Sequence, residues 1–141
     1  MIDFDKSAVF KLTLDKKPDL KLVNDILVSG EEVYQTYTTV RDKVIFTNKR
    51  VIAINIQGFT GAKKDFTSLP YSKVQAFSVE TAGTLDMDAE LDLWFSSVGK
   101  VRFEFSRDCN VRELNRVISE YVLNHKIIKN PALVLEHQGR T

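Results

Sequence analysis

The chain has 141 residues, 43% of them hydrophobic and 28% charged, a size and balance that suit one globular domain with its own core and exclude wholesale disorder. Twenty basic against nineteen acidic residues leave a net charge of +1, too little for the broad positive field that drives nucleic-acid affinity, so no nucleic-acid partner is expected. A single cysteine excludes an internal disulfide framework, and no stretch approaches a signal-peptide core or the ~20 apolar residues of a membrane span, which predicts a cytoplasmic protein.

From the N-terminus, Phe10, Leu12 and Leu14 alternate with polar residues like a strand, but no partner for it is evident. Pro18 then opens "PDLKLVNDIL", where Leu20, Val23, Ile26 and Leu27 share one helical face and predict a short amphipathic helix. From Glu31 to Arg107 the pattern turns to β-branched and aromatic runs parted by "RD", "NK", "GFTGA", "PYS", "AG" and "SVG". It predicts seven antiparallel strands near 32–40, 43–48, 50–57, 64–69, 74–82, 85–96 and 100–106. The last hairpin can be aligned by parity. Leu91, Leu93, Phe95, Val101, Phe103 and Phe105 are all odd-numbered, so only an odd-length loop around Ser97–Gly99 lets these side chains share a face. Asn110 with Glu113 three residues on forms a capping-box pattern for a helix over 110–124. That helix buries a stripe of Val111, Leu114, Val117, Ile118, Tyr121 and Val122. The predicted core comprises Phe46, Ile54, Phe77, Val79, Leu91, Leu93, Phe103, Phe105, Leu114, Val117 and Ile118.

Seven short strands and a closing helix are the element order of the pleckstrin homology (PH) fold. The run from Val44 to Phe95, with "FTNKR", "LPY", "FSVETAG" and "DMDAEL" in order, resembles the bacterial PH-like domain family. The resemblance implies a mainly β architecture, a seven-stranded antiparallel partial barrel capped by a C-terminal helix. It also implies an interaction role without enzymatic activity. It spans about Ser29 to Asn124, which divides the chain into an N-terminal segment with the short helix (1–28), a PH-like domain (29–124) and a C-terminal tail (125–141). Residues 1–17 and the tail carry none of it.

Asp86, Asp88, Glu90 and Asp92 alternate along one strand. Same-face neighbours there stand about 6.6–6.8 Å apart, whereas calcium ligands sit about 2.3–2.6 Å from their ion on a turning loop, so four such carboxylates cannot share a metal. They read as the wet face of a strand, with Trp94 on the same face as a candidate anchor for a partner. His125 and His137 lie beyond the last strand, and neither is evidently held beside Cys109 or a serine. Cys109, just before the helix, could be somewhat acidified, although a passive packing role is the commoner one. No phosphate-binding glycine loop is present; no catalytic residue, metal or cofactor is therefore expected.

Two binding readings remain. Arg41 and Lys43, Lys49 and Arg50, and Lys63 and Lys64 flank successive turns and could recognise anionic lipid headgroups, but Asp42 and Asp65 compensate them locally, so membrane contact is not favoured. The favoured reading is protein association. In "KVIFTNKRVIAINIQ" apolar residues occupy both faces, and Ile45, Ile52, Ile54 and Ile56 need a cover from the helix near 18–28, from the tail at 127–135 or from another copy of the chain. This surplus predicts self-association into a closed oligomer, with a ring as one form.

Overall fold

The computed structural model describes residues 9–81 and 89–128, with side chains over 11–81 and 89–124. Asp86, Asp88, the first residues of the strand predicted from 85, the His125 side chain, His137 and the apolar tail side chains at 127–135 lie outside the described residues. In chain order the elements are β1 (Val9–Leu14), α1 (Lys21–Asn24), β2 (Val33–Thr38), β3 (Lys43–Thr47), β4 (Arg50–Gln57), β5 (Lys63–Pro70), a 3-10 turn at Tyr71–Lys73, β6 (Val74–Glu80), β7 (Ala89–Phe95), β8 (Gly99–Phe105) and α2 (Val111–Ile128). They form a PH-like fold, mainly strands in one sheet with a C-terminal helix against it.

The sheet has eight strands in the order β5-β4-β3-β2-β1-β8-β7-β6, one more than the seven expected. The addition is β1, from the opening segment whose partner could not be read. It runs parallel to β8, with Val9 opposite Arg102 and Leu12 opposite Phe105, and antiparallel to β2, with Thr13 opposite Thr38. A parallel pairing between the two ends of a chain has no turn to announce it, which is why local pattern missed it. No ladder joins β5 to β6 among the described residues, so the sheet is open.

Parity holds at the last hairpin. Leu91 faces Phe103, Leu93 faces Val101 and Phe95 faces Gly99, leaving Ser96, Ser97 and Val98 as an odd-length loop. At the start of α2 the Glu113 N–H donates to Asn110 Oδ1 at 3.1 Å, as an N-cap requires. The Glu113 carboxylate meets the Asn110 side-chain amide at 3.5 Å, so only the first half of the capping box is seen.

One face of the sheet holds the main core. Leu12, Tyr37, Val44, Phe46, Val51, Ala53, Leu91, Leu93, Phe103 and Phe105 are buried there, closed over by Val111, Leu114, Ile118 and Val122 of α2. Edge-to-face rings knit the two halves of the sheet, Tyr37 lying 5.1 Å from Phe105 and 5.5 Å from Phe46. The predicted core residues are buried except Phe77 and Val79, which sit half-buried on the edge strand β6.

A second, smaller core lies on the other face. Val23 of α1 is fully buried against Ile45, Ile52 and Ile54, with Leu20, Leu22, Ile26, Leu27, Val33 and Ile56 packed around them. The helix predicted over 18–27 is only the single turn Lys21–Asn24, whose first N–H donates to Asp19 Oδ1 at 3.1 Å. Burial of Val23 holds it in place rather than helix length.

Candidate functional site

The acidic strand resolves into ion pairs. Arg102, directly opposite Asp92 across β7 and β8, donates from Nε and Nη2 to the two Asp92 oxygens at 2.9 and 3.0 Å. Its Nη1 lies 3.5 Å from Glu90. The hydrogen bonds and charge of Asp92 hold the guanidinium even more firmly protonated than usual. Trp94 continues this face between Ala76 and Lys100 and is 36% exposed. Among the described residues no group of three or more histidines, cysteines and carboxylates is placed to hold a metal.

Cys109 is not acidified. Burial raises its pKa and the Asp108 charge adds to that, outweighing the hydrogen bond shared with Ser106, whose Oγ lies 3.7 Å from the thiol. The thiol lines a groove with Thr81, Ala89, Ser106, Val111 and Arg112.

The six basic residues do not converge on one ligand. Lys49 and Arg50 start β4, whereas Arg41, Lys43, Lys63 and Lys64 surround its far end, where Lys43 faces Ile54 and Lys63 faces Gln57. At about 3.3 Å per residue, β4 sets Lys43 about 13 Å and Lys63 about 23 Å from the level of Arg50. Lys43 is paired with Asp15 at 3.1 Å. Arg50 is consumed altogether: it donates to both Glu31 oxygens at 3.0 Å, to the Ile26 carbonyl at 2.6 Å and to Ser68 Oγ at 3.0 Å. Arg41, Lys63 and Lys64 remain exposed at the far end.

The motifs that carry the family resemblance prove to be structural. Thr47 of "FTNKR" donates to Glu31 at 2.7 Å and accepts the Lys49 and Arg50 N–H groups. Asn48 ties down the backbone of Gly30 and Glu32. Tyr71 of "LPY" is fully buried, donates its hydroxyl to the Thr47 carbonyl at 2.7 Å and stacks on Tyr121 of α2 at 5.3 Å. Together these side chains clasp the β3–β4 turn, the strand entering β2 and the lid helix.

The apolar candidates are also accounted for within the chain. Ile45, Ile52 and Ile54 are buried under α1 and Ile56 is half-buried beside them, so the surplus that predicted an exposed patch is covered by the N-terminal segment. Pattern shows that a face is apolar but not which segment lies on it.

What sequence reading passed over are two apolar residues at turn tips, Val40 and Phe59, both fully exposed. The turn before β3 is closed by the Thr39 N–H to the Asp42 carbonyl at 2.9 Å and by the Asp42 N–H to Thr39 Oγ1 at 2.9 Å, leaving Val40 and Arg41 at its apex. The loop between β4 and β5 turns on Gly58 and Gly61, at φ +80° and +67°, a left-handed geometry that favours glycine, with Phe59 between them. Arg41 Nη2 donates to the Gly58 carbonyl and binds the two tips to each other. An aromatic residue inside the glycine-bracketed "GFTGA" was the available signal.

A family model described as the bacterial PH domain matches residues 4–122. The chain belongs to the bacterial PH domain family. The match begins well before Ser29, so the opening residues that carried no resemblance by motif belong to the family's span, in keeping with β1 inside the sheet. Among proteins similar to this bacterial PH domain, the uncharacterised protein YjqA of Bacillus subtilis is 41% identical over 96 residues, covering 67% of this chain and 77% of YjqA. The uncharacterised YozO of the same organism is 30% identical over 110 residues, covering 78% of this chain and 95% of YozO. The crystal structure of a protein with a pleckstrin-homology domain from Shewanella loihica superposes with a TM-score of 0.66 at 38% identity, covering 73% of this chain and 89% of that one.

Proposed function

We propose that this PH-like domain is a non-catalytic interaction module that associates with protein, including further copies of itself, along the open edges of its sheet. The observation that carries the reading is that β5 and β6, among the described residues, each have a strand neighbour on one side only. An unpaired edge is a template for another strand. The edges also differ in charge. β5 begins with Lys63 and Lys64, while Glu80 ends β6 and is its one charged residue. Antiparallel addition of one copy's β6 to the next copy's β5 sets Glu80 against the lysines, a head-to-tail contact that can close into a ring. No enzymatic role is proposed, because Cys109 is unactivated and the buried carboxylates Glu31 and Asp92 are occupied by Arg50 and Arg102.

Light scattering coupled to size exclusion should report a multiple of 16.1 kDa at micromolar concentration. Ser78→Lys with Glu80→Lys loads β6 with the charge that β5 already carries and should dissociate the assembly without changing the circular dichroism. Reversing Lys63 and Lys64 to glutamate in that background should restore it. A strictly monomeric wild-type protein would remove the self-association part of the reading.

A further inference from the structure

We propose that the C-terminal tail docks on its own domain as a further strand, residues 132–136 pairing antiparallel with the free edge of β5 and competing with association through that edge. The docking stands by itself, and its effect on assembly rests on the reading above. The apolar run "ALVL" at 132–135 is not needed over Ile45, Ile52 and Ile54, which α1 covers. The free edge of β5 offers it a seat, since an unpaired strand edge accepts an added strand. The place where the chain leaves α2 favours this edge. Tyr121 stacks on Tyr71, the residue that follows β5, so α2 passes the end of that strand. The helix runs to Ile128, and Pro131 bars another turn. Four extended residues from Ile128 reach about 13 Å, and Ser68 lies about 10 Å back along β5 from Tyr71. A chain that turns back there runs antiparallel to β5.

Face and charge select the register. Along β5 the even-numbered Lys64, Phe66 and Ser68 are exposed, whereas Thr67 and Leu69 are buried on the core side. With Ala132 opposite Ser68, Val134 falls opposite Phe66, which is 40% exposed, and Glu136 falls opposite Lys64. Lys64 Nζ donates to the Gly61 carbonyl at 3.0 Å and has donors left for a carboxylate. Leu133 and Leu135 then share the core side with Thr67. A shift of two residues either way sets Glu136 against Ala62 or Phe66 and loses the charge pair. A shift of one turns both leucines to the exposed face. The edge of β6 is the poorer seat. It starts at Val74, beside the same turn, so the tail would join it only as a parallel strand, the weaker pairing, and its one charged residue is Glu80. A strand tethered this closely meets its edge at an effective concentration of about millimolar, well above that of a second copy at micromolar concentration.

The test uses the full chain with Cys109→Ser, which removes the native thiol. Ser68→Cys with Ala132→Cys sets two thiols opposite each other in this register. Mild oxidation at low micromolar concentration should close an intramolecular disulfide, seen as faster migration on a non-reducing gel. Ser68→Cys with Leu133→Cys points the second thiol to the other face and should cross-link about tenfold less. No matched cross-link, equal yields from the two pairs, or a covalent dimer in place of the linked monomer would overturn the proposal. In the assembly arm, Leu133→Asp with Leu135→Asp should release the tail, keep the wild-type circular dichroism and lower the concentration at which light scattering reports assembly by about tenfold. Assembly unchanged or weakened by that pair would overturn the competition. A matched cross-link in a chain that stays monomeric with and without the aspartates would leave the tail docked and remove the edge association, so the two readings fail separately.

Discussion

Glu31 joins the segment that leads into β2 to the turn between β3 and β4. Its side chain is fully buried, and its oxygens take hydrogen bonds from Arg50, Thr47 and the Val28 N–H. Burial pushes its pKa up, but those hydrogen bonds and the Arg50 charge outweigh burial and leave it below the ordinary 4.5. A depressed folded-state pKa contributes stability that is present above the unfolded value and is lost as pH falls through the folded one. Glu31→Gln should therefore flatten the acid limb of a stability–pH profile measured by urea melts below pH 4.5. At neutral pH it should cost about 3–5 kcal/mol, because the Arg50 guanidinium would lose its counter-charge while partly buried. Leu114, fully buried beneath the lid helix, should cost about 2–5 kcal/mol as Leu114→Ala. Trp94→Ala, on the wet face, should change stability by less than about 1 kcal/mol. A large loss there would place Trp94 in a packing role.

At the scale of elements, α1 has importance out of proportion to its four residues. It roofs Ile45, Ile52 and Ile54, which would otherwise be a contiguous apolar patch. Val23→Asp should lift the roof by burying an unpaired charge, lowering stability by several kcal/mol and admitting a dye such as ANS to the exposed isoleucines. A charge placed at Ile45 or Ile54 should act in the same way and unfold the domain, rather than release an intact monomer from an assembly. Unchanged melting of Val23→Asp would show that the packing seen around Val23 contributes little. β1 plays the corresponding part in the sheet, since its pairings to β2 and β8 are what make one sheet of the two halves.

For the molecule as a whole, the proposed association surface is the pair of open sheet edges, with Lys63 and Lys64 at the start of β5 and Glu80 at the end of β6. Salt screens charges that face one another across such a contact. The mass reported by light scattering should therefore fall as salt is raised. A mass unchanged by salt would show that the edge charges do not hold the contact.

The sequence by itself determined the strands from β2 to β8, the lid helix with its Asn110 cap and the odd-length last hairpin. These depend on side-chain period, turn chemistry and parity, which act over a few residues. Its family motifs identified the fold as well, although they mark the clasp around Thr47, Arg50 and Tyr71 rather than a binding site. Only the tertiary structure decided what lies against what. It brought β1 to β8 across most of the chain, laid Val23 over the isoleucines and spent Arg50 on Glu31. It also separated the basic turns and joined Val40 to Phe59 at one end. The physical reason is that period tells which way a side chain faces along its own strand, whereas cover, pairing and exposure depend on segments distant in sequence that local pattern does not encode.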